Sequence, residues 1–198
     1  MSRVLLIAAT LVLAACASTP QSRFYTLGGA PAPPLPSSTL SIVVGPVTIP
    51  AVVDRPEIVV TVSENEVWLD EFNRWAGPLG EAIAVATAED LGAALGTPRA
   101  TAAVQGAADA DYRVSVEVQR FESAPGSYAL LDAVFTVRRT SDGRAATGRT
   151  TAREAPSDKS YAELAAAHSR AVARLAGDIA ATTRTLAAQA PRPATPNR

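Results

Sequence analysis

The side chains that could carry out chemistry are few in this sequence. The chain of 198 residues contains one cysteine, Cys16, and one histidine, His168. A hydrolytic triad or a histidine-based metal site would therefore depend on His168 alone, because each needs an imidazole as base or ligand. His168 lies on a stripe of apolar residues at helical spacing, so we predict a histidine that packs in the core.

The other candidates for chemistry are carboxylates and phosphate-binding loops. Asp109, Asp111 and Asp132 could pair in space, but nothing in their spacing requires it, and solvated loop or strand positions account for them. Neither common glycine-rich phosphate loop occurs. Lys and Arg total 18 against 19 Asp and Glu, without a basic run, which argues against a nucleic-acid partner. We predict that the protein is not an enzyme and has no catalytic or metal-binding residues.

The surroundings of Cys16 predict a lipid anchor. A single basic residue precedes an apolar run at residues 4–13, which is too short to span a membrane, since a spanning helix needs about 20 residues. Leu13-Ala14-Ala15-Cys16 then resembles the lipobox of bacterial lipoproteins, in which a lipid donor alkylates the thiol and the chain is cleaved before the cysteine. The alternative is an ordinary secreted protein in which Cys16 is incidental.

On that resemblance, residues 1–15 form a lipoprotein signal peptide that is cleaved after Ala15. Cys16 then carries a covalent N-acyl diacylglycerol, and no other cofactor is expected. The next residue, Ala17, is not the Asp that usually retains Gram-negative lipoproteins at the inner membrane. By resemblance to that sorting rule, we expect a protein anchored by its lipid in the outer membrane, on the periplasmic face.

Composition divides the rest of the chain into three parts. Residues 16–38 form the lipidated N-terminus and a proline-rich linker, within which Phe24-Tyr25-Thr26-Leu27 is a short β-prone segment. Residues 39–189 are long enough for a single domain with its own core. Residues 190–198 contain three prolines and no apolar anchor, so we predict a disordered tail.

The domain alternates strand and helix signals. A helix is predicted at 78–95, ending at Gly96, and a second helix at 160–189, where Ser160 and Glu163 fit a capping box. The predicted strands cover residues 39–50, 57–62, 66–72, 111–121, 128–138 and 145–153. We expect an α+β fold, a largely antiparallel sheet with two helices packed against it.

Two motifs stand out from this pattern. One contains Asp54, Arg55 and Pro56, which could be a turn with an internal ion pair; the other contains Trp75, which could pack the start of the first helix on the sheet. Together with Phe24-Tyr25-Thr26-Leu27 they occur in the order Phe-Tyr-x-Leu, Val-Gly-Pro-Val-x-Ile-Pro, Asp-Arg-Pro-x-Ile-Val and Arg-Trp-Ala-x-Pro-Leu. This ordered set resembles the auxiliary lipoproteins of ABC-type and mammalian-cell-entry (MCE) transport systems, the PqiC (YmbA-like) family. Val53 departs conservatively from the expected Leu.

The resemblance implies a function that composition could not. Such a lipoprotein would be the non-catalytic auxiliary subunit of an intermembrane transport system for lipids or other hydrophobic molecules. Its partner would be an MCE-domain protein and, through it, an inner-membrane permease and ATPase. We take Asp54, Arg55, Pro56 and Trp75 as the candidate partner interface. A ring-shaped partner would also suit a homo-oligomer of the lipoprotein.

Two other functions are compatible with the sequence. One is an envelope scaffold or activator lipoprotein for cell-wall machinery, which would use a similar α+β domain. The other is a stand-alone periplasmic lipid carrier with its own apolar pocket. A carrier should purify with bound phospholipid, whereas a docking subunit should not.

Overall fold

The computed structural model describes residues 20–28, 38–103 and 110–189. The predictions for Ala15 and Cys16, for nearly all of the linker and for the tail at 190–198 lie outside these residues. The described chain forms eight strands and two helices. In order they are β1 (Arg23–Tyr25), β2 (Ile42–Thr48), β3 (Glu57–Ser63), β4 (Glu66–Trp75), α1 (Leu79–Leu95), β5 (Ala100–Ala102), β6 (Tyr112–Ala124), β7 (Tyr128–Arg139), β8 (Ala145–Glu154) and α2 (Tyr161–Ala188).

The α+β class is confirmed, but the prediction of a largely antiparallel sheet is wrong. The eight strands form one mixed sheet, in which four of the seven strand pairings are parallel: β1 with β4, β2 with β5, β2 with β6 and β3 with β6. The antiparallel pairs are β3–β4, β6–β7 and β7–β8. Alternation of apolar and polar residues shows which face of a strand is buried, but it is the same for either direction of the neighbour. The sequence therefore could not reveal the direction.

Strand β6 organises the sheet. One edge pairs with β7 along nearly its whole length. The other edge is shared by two strands that both run parallel to it, with β2 beside Tyr112–Glu117 and β3 meeting it at Val60 and Ser123. The chain thus leaves the edge of β6 after Thr48 and returns to it at β3. The intervening loop, residues 49–56, contains the Asp-Arg-Pro motif.

Both helices pack against the sheet and against each other. Helix α1 contacts β2 and β5, and α2 contacts β7 and β8. The inward stripe of α2 is fully buried, as its apolar spacing predicts, and includes Leu164, His168, Val172, Leu175 and Ile179. The helices therefore cover the face of the sheet to which β6 turns Val114, Val116 and Val118.

The ends of the helices follow the capping signals with one correction. Gly96 ends α1 in the left-handed conformation, at φ 65°. Ser160 precedes α2, and its hydroxyl accepts the Glu163 amide at 3.2 Å, as predicted. Glu163 does not reach back to Ser160, however: the Ser160 amide donates to Asp158 at 2.7 Å, and Glu163 accepts the Ser157 hydroxyl. Asp158 therefore accepts the Ser160 amide in place of Glu163.

Candidate functional site

The two motifs singled out in the sequence come together at the start of β3. The Trp75 backbone N–H donates to the Pro56 carbonyl oxygen at 2.8 Å. One residue after Pro56 and one residue before Trp75, Glu57 pairs with Arg74, with Oε1 and Nη2 2.9 Å apart. The Asp-Arg-Pro loop and the Arg-Trp segment therefore form one structural unit, although eighteen positions separate Glu57 from Trp75.

The Phe-Tyr-x-Leu motif completes the same unit. Strand β1 pairs in parallel with the end of β4, so that Tyr25 lies opposite Trp75, and the Ala76 N–H donates to the Tyr25 carbonyl at 2.8 Å. The Tyr25 hydroxyl also donates to Asn73 Oδ1 at 2.8 Å. We call this meeting point of β1, the end of β4 and the 49–56 loop the motif junction. Three motifs that are dispersed in the sequence thus build one corner of the sheet.

The structure separates the four predicted interface residues by exposure. Asp54, Arg55 and Pro56 are exposed at the motif junction, whereas the Trp75 side chain is only 4% exposed. The loop is held from beneath by Val53, whose side chain is buried and whose carbonyl accepts the Arg55 amide at 2.9 Å. The exposed loop can therefore meet a partner directly, while the Trp75 indole can only hold the loop in place from inside the core.

The indole of Trp75 lies in an aromatic cluster with Phe121 and His168. The rings of Phe121 and His168 stack, with centroids 4.0 Å apart, and the indole meets both edge-on at 6.0 and 5.9 Å. The buried Ser123 hydroxyl lies 2.8 Å from His168 Nε2. This cluster joins the motif junction to β6 and α2.

The pairing of Ser123 with His168 does not make a nucleophile and base. Both side chains are buried, at 2% and 0% exposure, so a substrate cannot reach the hydroxyl. His168 Nδ1 has no hydrogen-bond partner, whereas a catalytic histidine is oriented by a carboxylate at that atom. Burial lowers the pKa of His168 to about 3, which keeps the imidazole neutral. The prediction of a packing histidine is confirmed.

Two of the three carboxylates considered in the sequence have structural partners. Asp132 accepts two hydrogen bonds from Arg149, at 2.6 and 2.8 Å, and this arginine lowers the pKa of the carboxyl. Asp111 accepts the Ser41 amide at 2.8 Å, and Asp109 lies outside the described residues. Within the described ranges, no three His, Cys, Asp or Glu side chains gather in a way that could hold a metal ion.

An exposed apolar surface at the turn of the β3–β4 hairpin was missed by the sequence reasoning. We define the apolar tip as Val62, Val67, Trp68 and Leu69, whose side chains are 55%, 48%, 55% and 36% exposed. The run Val67-Trp68-Leu69 breaks the alternation expected of a strand with one solvent-exposed face, and this was the available signal.

Among the described residues, neither helix is long and apolar enough to cross a membrane.

Comparison with known proteins identifies the family. The family model described as the ABC-type transport auxiliary lipoprotein component matches residues 25–180, which include the motifs of the junction from Tyr25 onward. No curated protein is a significant match to the chain.

Solved structures share the fold. A crystal structure described only as an uncharacterised protein aligns with a TM-score of 0.66 at 18% identity and covers 82% of this chain and 98% of that chain. A Xanthomonas campestris protein of family DUF330 aligns with a TM-score of 0.62 at 20% identity, over 85% and 100% of the two chains. A dodecameric PelC from Paraburkholderia phytofirmans aligns with a TM-score of only 0.39 at 17% identity, over 75% and 91%, and supports no conclusion. Because the family model spans well over half of the sequence, the chain belongs to the ABC-type transport auxiliary lipoprotein components.

Proposed function

We propose that this lipoprotein is the non-catalytic docking subunit of an ABC/MCE-type intermembrane transport system, anchored through Cys16 in the outer membrane and facing the periplasm. The cargo would be phospholipid or another hydrophobic molecule. The observation that carries the proposal is the family match over residues 25–180, together with the convergence of its motifs on one exposed loop. The MCE partner and the outer-membrane location rest on the resemblance and on Ala17.

The Asp54-Arg55-Pro56 loop is suited to docking because it is exposed and yet held firmly. Val53 anchors one end in the core, and the Pro56 carbonyl is tied to Trp75 at the other. The ion pair between Glu57 and Arg74 closes the unit beside it. A rigid surface loses little conformational entropy on binding, so its charged groups can select a partner without first being ordered.

The test is co-purification from the native host. The full-length protein with a C-terminal tag is extracted in mild detergent, and the proteins bound to it are identified. We expect an MCE-domain protein with permease or ATPase subunits. Cell-wall enzymes in their place would support the scaffold function, and a protein that purifies alone with bound phospholipid would support the carrier.

The loop is tested in the same experiment. Arg55→Ala should reduce recovery of the transport partner while the free energy of unfolding stays unchanged. Arg138→Ala is the matched control, because Arg138 is an exposed arginine on β7, away from the motif junction. Equal recovery with Arg55→Ala and Arg138→Ala would reject the loop as the interface.

A further inference from the structure

The apolar tip has no neighbour in the fold that accounts for it. Its four side chains make up most of the seven large apolar side chains that are exposed in the described residues, and all four lie in the β3–β4 hairpin. Trp68 lies on one face of β4, and Val67 and Leu69 lie on the other. Isolated exposed apolar residues are normal on soluble surfaces, but several in one hairpin, with a tryptophan among them, make the tip a candidate contact surface.

Hydrogen bonds fix the base of the hairpin. Near its root, the Asp70 carboxylate accepts the amides of Phe72 and Asn73 and the Asn73 side chain, at 2.9, 3.0 and 2.9 Å. Burial opposes ionisation of Asp70, but these bonds and the Tyr161 hydroxyl outweigh it and lower the pKa of the carboxyl. The hairpin thus projects from a fixed base.

The direction of β1 sets where the described chain enters the domain. Because β1 runs parallel to β4 with Arg23 opposite Asn73, the chain upstream of Arg23 heads back along β4 toward the hairpin turn. Pro20 and Gln21 lie beside Phe72 in a shared surface cleft. At Pro20 the chain therefore lies beside the part of β4 that leads to the apolar tip, and beside the start of α2.

The reach of the chain from Pro20 to Cys16 is similar to the distance from Phe72 to Trp68. Cys16 is four residues before Pro20, and four residues of extended chain span at most about 14 Å. Cys16 therefore lies within about 14 Å of Pro20. Trp68 is four residues before Phe72 on β4, so the two are at most about 13 Å apart, and less where β4 is irregular between Asp70 and Arg74. A tether of this length is enough for the anchor and the apolar tip to reach the same membrane surface.

We propose that the apolar tip inserts into the interfacial layer of the membrane that holds the acyl chains of Cys16, and so orients the domain on that membrane. Tryptophan favours this layer, because its ring is apolar and its indole N–H can bond to headgroups or water. Glu64 lies in the turn itself and Glu66 directly follows it, so the turn stays at the level of the headgroups, which limits the depth of insertion and favours a zwitterionic lipid surface. The proposal rests on the lipid anchor and not on the transport partner, so either can fail without the other.

The experiment uses the two tryptophans of the chain, Trp68 and Trp75. The lipidated full-length protein is placed in phosphatidylcholine vesicles, with or without brominated acyl chains, and its fluorescence is recorded. We expect a blue shift and quenching by the brominated lipid, both of which disappear in Trp68→Phe because buried Trp75 does not reach the bilayer. Emission that is unshifted, with Trp68 as accessible to acrylamide as in detergent-free buffer, would overturn the proposal.

A second measurement does not depend on fluorescence. Hydrogen exchange at the β3–β4 hairpin should slow on vesicles for the wild-type protein and should not slow for the Val67→Ser, Trp68→Ser double variant. Val85→Ser is the matched control, since Val85 is an equally exposed apolar residue on α1. If the hairpin is protected only after a partner protein is added, the surface is a protein interface and the lipid proposal is wrong.

Discussion

Trp75 and Pro56 are joined by a backbone hydrogen bond of 2.8 Å, from the tryptophan amide to the proline carbonyl. This bond ties an exposed loop to a residue whose side chain lies in the aromatic core with Phe121 and His168. Residues that the sequence grouped as one candidate interface therefore differ in what they do. Asp54, Arg55 and Pro56 form surface, and Trp75 supports it.

The first prediction separates these two roles. Trp75→Ala should lower the free energy of unfolding by about 3–5 kcal/mol, because it removes a buried indole and leaves a cavity. Arg55→Ala should change it by no more than about 0.5 kcal/mol, since the side chain is exposed. Urea denaturation of both variants measures the difference, and a similar loss in the two would show that the loop is itself part of the core structure.

The second prediction concerns pH. The folded pKa of His168 is about 3 and its ordinary value is 6.5, so between these values the unfolded chain binds a proton that the folded chain excludes. The free energy of unfolding should therefore fall as the pH falls below about 6.5. The loss that is due to His168 is complete near pH 3. Between pH 7 and pH 5 the loss from this residue should be about 2 kcal/mol.

The check is urea denaturation at pH 7 and pH 5 for the wild type and for His168→Gln. Glutamine can still hydrogen-bond to Ser123 but does not titrate, so the variant should be less sensitive to this change of pH. Carboxylates titrate equally in both proteins and cancel in the comparison. An identical loss in the two proteins would contradict the prediction.

The third prediction uses two glycines in different surroundings. A Cβ at Gly148 on β8 would fall 2.9 and 3.0 Å from ring atoms of Phe135, which is buried and cannot easily move aside. Gly148→Ala should therefore cost about 1–3 kcal/mol through overpacking.

Gly177 is the matched control for this substitution. It lies within α2 with nothing within 4 Å of its added Cβ, so Gly177→Ala should stabilise the protein by up to about 1 kcal/mol through helix propensity. Thermal or urea denaturation reports both changes. If both substitutions raise the free energy of unfolding, Phe135 has moved aside for the added methyl group, and the prediction is wrong.

The fourth prediction concerns the start of α2. Ser160→Ala removes the hydroxyl that accepts the Glu163 amide and should lower the free energy of unfolding by about 1 kcal/mol. Thr182→Ala, an exposed hydroxyl within the same helix that bonds only to a helical carbonyl, should change it by less than about 0.5 kcal/mol. Equal effects in urea denaturation would show that Ser160 does not act as a cap.

Much of the secondary structure could be predicted because its signals are local. The apolar spacing around His168, the glycine at position 96 and the serine at position 160 each lie within the element that they specify. The alternation of Tyr112, Val114, Val116 and Val118 likewise predicts the buried face of β6. These patterns follow from the side-chain periods of the helix and the strand, about 3.6 and 2 residues, which are properties of the local backbone.

The rest depended on contacts between distant parts of the chain. The alternation does not state the direction of a neighbouring strand, so the parallel pairings of β6 with β2 and β3 were not visible. The broken alternation at Val67-Trp68-Leu69 was a signal, but it did not show that Trp68 is exposed, because an apolar residue in a strand is buried only if another element covers it. The Glu163 partner was missed because Asp158 competes for the Ser160 amide.

By itself, the sequence determined the α+β class, the burial of His168, the expectation of a lipid anchor at Cys16 and the family resemblance. These follow from residue types and spacings that act over a few positions, or from motifs in a recognisable order. Only the tertiary structure decided that three motifs meet at one junction, that Trp75 supports the loop from inside, and that the β3–β4 hairpin leaves Trp68 exposed. Those facts depend on which strands pair and in which direction, and that choice is made by the packing of the whole chain.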